Sequence, residues 1–356
     1  RMIPIYLTNA IFASSILISL FFVIRKLYGF LPALLSSFLL AFSMRDILPY
    51  LWGQWPERLA YAFVPLILYC FYMYYTTYSK ESSKPIYLYI MSLLLAIDML
   101  IHPLIFFHSI VGIFVLGIAL FIKDRKLAFD LRHIAIAALL FLILFAIFPY
   151  QTGNVIKSFQ RGSAEAKGGR DSPILRLLHW APSPEDFKGS VPDSYFSFRE
   201  MHGLWTLPFL LAGMAVLLIR RERRDIFLLA WLLSLYLVLH RDLIGKTAFL
   251  HRSLSASAHI FAPITVIGAL SIFSFFPSFF KLPQIYKSFL KYGMAALIVI
   301  LALMYNLPQA YSTLSQVYDS PFLRLNSAQI EVSEWLRLNL NENQNVSVIG
   351  PPPEIM

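Results

Sequence analysis

Two carboxylates, Asp46 and Glu57, lie near opposite ends of a short polar segment, residues 43–58. The same segment holds Arg45 and Arg58, and it separates two strongly apolar stretches. Charges at the edge of an apolar layer are costly when unpaired, so they tend to mark a site or an ion pair. Both carboxylates are candidate catalytic groups, because such acids deprotonate a hydroxyl or hold a divalent ion. The alternative is structural, with Asp46 paired to Arg45 or a neighbour and Glu57 capping the next helix.

A second polar segment carries a group of basic side chains next to an apolar stretch. Guanidinium and ammonium groups beside a bilayer bind phosphate, and arginine does so through a bidentate fork. The pattern therefore predicts a substrate-binding group for a lipid-linked phosphate, with Arg58 of the first segment as a further contact. Binding of ordinary anionic headgroups is the alternative. The group comprises Arg241, Lys246, His251 and Arg252.

The pair His102-Pro103 predicts a tight turn between two apolar segments, with His102 as another candidate substrate contact. Asp98 precedes this turn and His108 follows it. An acid within an apolar segment is a functional candidate, although an Asp–His hydrogen bond that braces the turn explains it equally well. Three other histidines lack the spacing of metal ligands and are predicted to be core or interface residues: His179, His202 and His259.

The composition of the 356-residue chain points to a lipid environment. Hydrophobic residues make up 58% and charged residues 14%, whereas soluble domains are nearer half apolar and a quarter charged. A net charge of +10 would suggest nucleic acid as the partner of a soluble protein. Here the basic residues lie between apolar segments, as membrane orientation requires, so no nucleic-acid partner is expected. The single cysteine, Cys70, rules out an intrachain disulfide.

Apolar segments recur along most of the chain and predict an all-α polytopic bundle of about ten transmembrane helices. The predicted segments are 4–24, 30–43, 59–75, 86–101, 104–122, 133–148, 204–219, 226–239, 257–275 and 292–305. Lysine and arginine are concentrated in alternate links, which is expected when those links share the cytoplasmic side. The basic links contain Arg25 and Lys26; Lys80 and Lys84; Lys123, Arg125, Lys126 and Arg132; Arg220, Arg221, Arg223 and Arg224; and Lys281, Lys287 and Lys291.

This orientation predicts a multi-pass cell-membrane protein whose two candidate polar segments and C-terminal segment lie outside the cytoplasm. Residues 1–310 form the predicted bundle, including a long outer loop at 150–203 that is either functional or a plain connector. Residues 311–356 are predicted to begin an α/β extracytoplasmic domain, with a helix at 326–340 and a strand at 346–349. Because Arg1 falls on the outer side, we expect the chain to be part of a longer protein with an odd number of preceding spans.

Several short motifs resemble the GT-C superfamily of polytopic membrane glycosyltransferases, and in particular prokaryotic membrane proteins labelled as related to 6-pyruvoyl-tetrahydropterin synthase. The matching features are Pro49-Tyr50, the turn Trp52-Gly53-Gln54-Trp55-Pro56-Glu57, Pro65-Leu66, His102-Pro103, the stretch 331–336 and the run 346–349. The resemblance implies a GT-C-like bundle and a polyprenyl-phosphate-linked sugar donor. The key acid of that group commonly lies in the first outer loop, which has no counterpart here beyond Arg1-Met2. Only Asp46 and Glu57 have plausible counterparts.

The sequence therefore predicts a membrane glycosyltransferase acting at the outer face. Glu57 or Asp46 would orient or deprotonate the acceptor, with Mg²⁺ or Mn²⁺ as a conceivable cofactor. A transporter or lipid flippase is the main alternative, which would require ionisable groups near the bilayer centre. A non-catalytic membrane assembly protein that keeps the fold without the chemistry is the third.

Overall fold

The computed structural model describes residues 3–51, 54–78, 84–126, 128–149, 152–153, 180, 193–241, 250–279 and 283–318, together with 331, 335 and 338. Of this part of the chain, 89% is helical and none lies in a strand. The all-α class expected from the apolar segments is thus observed. The strand expected at 346–349 and most of the helix at 326–340 lie outside the described residues. Of that helix, Glu331, Trp335 and Leu338 are described and are helical.

The helices follow one another with short connections, except across the long link at 150–203. They are α1 (Ile3–Tyr28), α2 (Phe30–Ala41), α3 (Met44–Leu51), α4 (Trp55–Tyr61), α5 (Val64–Tyr78), α6 (Ile86–Ile101), α7 (Pro103–Asp124), α8 (Leu131–Ile147), α9 (Phe198–His202), α10 (Thr206–Arg220), α11 (Arg223–Leu239), α12 (Leu250–Ser253), α13 (Ala256–Phe279), α14 (Gln284–Leu301) and α15 (Leu307–Tyr318). A 3₁₀ turn at Asp193–Phe196 precedes α9, and a π-helical turn at Ala302–Asn306 joins α14 to α15.

Four stretches of the described chain are long and apolar enough to cross a membrane: Ala10–Tyr28, Trp55–Tyr78, Pro103–Asp124 and Phe289–Ser312. Five shorter apolar helices accompany them, and a helix lies in each of the ten predicted segments. Large apolar side chains also cover the outside of the bundle, for example Phe114 (67% exposed) and Leu142 (59% exposed). Soluble monomers rarely expose apolar surface on this scale. This is the pattern of an all-α membrane protein, while the full count of ten spans stays a prediction.

Glycine residues allow α10 and α13 to pack at short distance. A Cβ atom on Gly213 would lie 2.1 Å from the carbonyl oxygen of Ile264, and one on Gly268 would lie 2.0 Å from that of Phe209. Small residues allow such backbone approach and are typical of helix contacts within membranes. Because α13 also packs against α2 and α3, this contact fixes the helix that carries His259.

The links between helices gather at two ends of the bundle. At one end, which we call the basic end, three of the basic links meet in residues 25–28, 124–126 and 220–225. Arg223 contacts Asp124 at 3.1 Å, and the Tyr28 hydroxyl donates to Asp225 at 2.9 Å. The other end, here the Glu57 end, brings together residues 44–51, 54–58, 102–103, 240–241 and 250–259. This grouping agrees with the alternation expected from charge, although the side on which each end lies remains a prediction.

Candidate functional site

Proline and short helices shape the segment that carries the two carboxylates. After α2 ends, the carbonyl of Ser43 accepts hydrogen bonds from the backbone N–H groups of Asp46 and Ile47, both at 3.0 Å, which starts α3. Helix α4 begins with Trp55 and Pro56, as expected because proline is preferred in the first helical turn. Asp46 thus lies in the first turn of α3 and Glu57 in the first turn of α4.

Asp46 is fully engaged by two partners. Both of its carboxylate oxygens accept hydrogen bonds from the guanidinium of Arg58, and Nε2 of His259 contacts Oδ1 at 2.6 Å. Burial raises the pKa of Asp46, but Arg58 and His259 outweigh that effect and hold it at about 2. The structural alternative for Asp46 therefore applies, with Arg58 rather than Arg45 as its partner. Asp46 ties α3, α4 and α13 together.

Glu57 is buried like Asp46, but its carboxylate is not hydrogen-bonded to any described residue. Its side chain is only 2% exposed, yet neither carboxylate oxygen has a hydrogen-bond partner within the described chain. It does not cap α4, contrary to the structural alternative. Three guanidinium groups act on it electrostatically: those of Arg252, Arg58 and Arg241. A buried carboxylate without hydrogen bonds is rare and costly, and such groups are associated with binding or catalysis.

His102 closes the hairpin between α6 and α7 and faces Glu57. Its extended backbone is what the following Pro103 demands, and its N–H donates to the carbonyl of Asp98 at 2.8 Å. The Nε2 atom lies 3.9 Å from Oε2 of Glu57, too far for a hydrogen bond. Burial, with a smaller contribution from Arg252, lowers the pKa of His102 to about 4. The ring is therefore neutral at pH 7, and the contact with Glu57 is not an ion pair.

The predicted phosphate-binding group is partly assembled around Glu57. Arg241 is buried, and its guanidinium donates to the Ser253 hydroxyl at 2.9 Å, which joins the end of α11 to α12. Arg252 lies in α12 and is half-buried. Lys246 lies outside the described residues, and of His251 only the helical backbone is described. Arg58 contacts Asp46, and His102 lies next to Glu57, as described above.

Three further polar groups lie on the helices that carry Glu57 and flank His102, namely Tyr61 on α4, Asp98 on α6 and His108 on α7. The Tyr61 ring lies 5.3 Å from that of His259 and 6.1 Å from that of His108, measured between centroids. His108 is 1% exposed, and neither of its ring nitrogens has a partner in the described chain. On the adjoining helix, Asp98 accepts from the Ser109 hydroxyl at 2.8 Å rather than from a histidine. The expected Asp–His brace is thus an Asp–Ser bond.

Arg45, the neighbour of Asp46 in α3, is a further buried guanidinium group. It makes no ion pair among the described residues: it lies 4.9 Å from the centre of the Tyr195 ring, and its Nη2 is 3.5 Å from the carbonyl of Ser197. Burial lowers the pKa of Arg45 to about 10. Burial, assisted by Arg45, also depresses the pKa of His202, whose Nε2 has no partner in the described part. Hence buried polar groups extend from Glu57 to α9.

The described residues of this cluster offer few ligands for a divalent cation. Asp46 already uses its oxygens on Arg58 and His259, which leaves Glu57 as the available carboxylate among them. Three arginines surround Glu57, and a cation would be repelled by them. Among the described residues, no group of three or more histidine, cysteine or acidic side chains is arranged to hold a metal. The donor set instead suits an anionic ligand next to one carboxylate.

No family model, curated protein or solved structure matches this chain. The resemblance to GT-C enzymes therefore stays a prediction.

Several site residues carried a readable signal, and others did not. His108 and His259 interrupt apolar helices, and a polar residue within such a helix is a functional candidate. The pairing of His259 with Asp46 joins residues 213 positions apart, which spacing cannot reveal. Tyr195 lies in the long link at 150–203, where nothing in the sequence distinguishes it.

Proposed function

We propose that the protein is a membrane glycosyltransferase that moves a sugar from a polyprenyl-phosphate-linked donor to an acceptor at the outer membrane face. The observation that carries this proposal is the buried carboxylate of Glu57, which has no hydrogen-bond partner among the described residues and lies in the field of the guanidinium groups of Arg58, Arg241 and Arg252. A free carboxylate next to fixed positive charge is what a transfer from a phosphate leaving group needs. The resemblance of the flanking motifs to GT-C proteins supports the same chemistry.

In this mechanism Glu57 is the general base. One of its oxygens takes the proton of the acceptor hydroxyl while the hydroxyl oxygen forms a bond to the anomeric carbon of the donor. The bond from that carbon to the phosphate oxygen breaks, and its electron pair leaves with the polyprenyl phosphate. Arg241 and Arg252 stabilise the negative charge on the departing phosphate. Asp46 is a positioning residue, because it acts through Arg58 and His259.

The test compares two carboxylate variants of the full-length protein in proteoliposomes. Release of polyprenyl phosphate is measured from a panel of polyprenyl-phosphate-linked hexoses, with membrane extract of the source cells as acceptor. We expect Glu57→Gln to lower kcat by about 10²–10⁴-fold, the usual contribution of a general base. Glu200→Gln is the matched control, since Glu200 is an exposed carboxylate at the same end of the bundle. Transfer at the normal rate by Glu57→Gln would exclude this site.

A transporter is a second candidate, favoured by the buried polar groups inside the apolar helices. Asp98 is fully buried with one oxygen unpartnered in the described chain, and His108 has two unpartnered nitrogens. Ionisable groups at this depth mark ion or substrate pathways in transporters. The test is uptake of the lipid-linked sugar into sealed vesicles. Uptake without sugar transfer, abolished by Asp98→Asn, would favour the transporter over the transferase.

A further inference from the structure

The basic end of the bundle contains a groove that has no part in the proposed transfer reaction. Its volume is about 660 Å³, within the range of sites for small molecules. The groove lies between the last turn of α1, the second half of α5 and the first turn of α11. Its lining combines basic and aromatic side chains with threonine: Lys26, Leu27, Tyr69, Tyr72, Met73, Thr76, Thr77, Glu222, Arg223 and Arg224.

The groove is lined by three basic side chains and one acidic one, and two of the three basic side chains contact an acid among the described residues. Arg223 contacts Asp124 at 3.1 Å, and Nε of Arg224 contacts Glu222 at 2.7 Å. Lys26 makes no ion pair within the described chain, and its ammonium lies 5.8 Å from the centre of the Phe22 ring. An exposed ammonium at the mouth of a pocket that also contains two guanidinium groups favours an anionic ligand.

An apolar stripe runs from Lys26 along the outside of α1. Residues four apart on a helix lie on one face, so Lys26, Phe22 and Ile18 form a continuous line. Phe22 is 42% exposed and Ile18 is 73% exposed. Phe22 also packs edge-on against Tyr69 at 5.7 Å between ring centroids, which connects the stripe to the wall of the groove. Positive charge at one end and exposed apolar surface toward the membrane interior match an amphiphile.

We propose that this groove binds the headgroup of an acidic phospholipid, with an acyl chain lying along Phe22 and Ile18. The anionic phosphate interacts with Lys26 and Arg224, and the aromatic wall of Tyr69 and Tyr72 encloses the headgroup. A free phosphate would use the same cations but would gain nothing from the apolar stripe. This site is independent of Glu57 and of the transferase proposal.

The experiment measures lipid binding to the purified full-length protein in a mild nonionic detergent by native mass spectrometry. Dioleoyl phosphatidylglycerol is compared with dioleoyl phosphatidylcholine and inorganic phosphate. We expect saturable binding of the acidic lipid, and Lys26→Gln should weaken it about fivefold, the effect of one basic residue near an anionic surface. The matched control is Arg25→Gln, since Arg25 is an exposed neighbour that does not line the groove, and it should change the affinity by less than about twofold.

A second variant tests the groove itself rather than the charge. Thr77→Trp places a large ring in the groove and should abolish saturable binding of phosphatidylglycerol while thermal stability without lipid is retained. If this variant does not fold, the comparison of Lys26→Gln with Arg25→Gln decides alone. The proposal is overturned if phosphatidylcholine binds as tightly as phosphatidylglycerol, or if Lys26→Gln and Arg25→Gln weaken lipid binding equally. It is also overturned if inorganic phosphate alone binds as tightly as the acidic lipid.

Discussion

The two ends of the bundle contain similar charges but arrange them differently. At the basic end, Asp225 is fully buried and accepts hydrogen bonds from Tyr28, Arg220 and the backbone of Glu222. Among the described acids of the Glu57 end, Asp46 is satisfied in this way. Glu57 and His108 each keep two buried polar atoms without partners in the described chain, whereas Asp124 at the basic end keeps one. Groups that stabilise a fold are normally paired. The difference indicates that Asp225 serves mainly structure, whereas Glu57 is the acid on which the proposed ligand site rests.

Removing the charge of Asp46 is the most direct test of the contrast between the two ends. Asp46→Asn should lower the free energy of unfolding by about 3–5 kcal/mol, because it leaves a buried guanidinium and a buried imidazole without their carboxylate. Arg58 and His259 have no access to water that could replace it, since their side chains are 3% and 2% exposed. The measurement is unfolding of the purified protein by denaturant in detergent micelles.

Glu57→Gln is the internal control for Asp46→Asn. It removes a buried charge that makes no hydrogen bond in the described chain, so the free energy of unfolding should change by less than about 1 kcal/mol. Equal destabilisation by the two variants would mean that both acids are structural. The contrast between a structural Asp46 and a functional Glu57 would then be lost.

A smaller loss is expected at the basic end. Asp225→Asn should cost about 1–3 kcal/mol, the usual effect of disturbing buried hydrogen bonds to a charged group. Its principal partner, Arg220, is 31% exposed and can be solvated by water after the substitution. The same unfolding measurement applies. If Asp225→Asn lowered the free energy of unfolding more than Asp46→Asn does, the expected order of the two effects would be wrong.

The sequence predicted the helices well but the contacts between them poorly. Apolar length and the distribution of basic residues depend on local composition, so the helical segments and the grouping of the basic links could be read directly. It also identified Asp46 and Glu57, but it treated them alike, as two candidate catalytic groups. Their difference depends on His259 and Arg58 reaching Asp46 across three helices. Such tertiary proximity has no local signal.

The same limit explains the unassigned part of the site. Arg45 was seen only as a possible partner of Asp46, because adjacent opposite charges suggest a pair. In the fold, α3 turns Arg45 toward Tyr195 and Asp46 toward α4 and α13. The neighbours of Arg45 and Asp46 depend on how residues 193–202 pack. These residues belong to the 150–203 link, for which the sequence left a functional and a merely connecting role open.

Lowering the pH tests the difference between the two ends with the least disturbance of the structure. The pKa of His102 is about 4 in the folded protein, below the ordinary value near 6.5, so the unfolded chain binds the proton more readily. Stability is therefore complete above about pH 6.5 and falls as the pH is lowered toward 4. Lowering the pH from 7.5 to 5 should cost the wild type about 1–2 kcal/mol through His102 alone.

Thermal unfolding of the wild type and of His102→Asn at the two pH values measures this contribution. The variant should lose less stability on acidification, and His202→Asn should behave similarly because burial also depresses the pKa of His202. Asp46 adds little to this difference, since its pKa of about 2 keeps it ionised at pH 5. An unchanged acid loss in both histidine variants would show that the sensitivity arises elsewhere. The buried neutral histidines would then not distinguish the Glu57 end from the basic end.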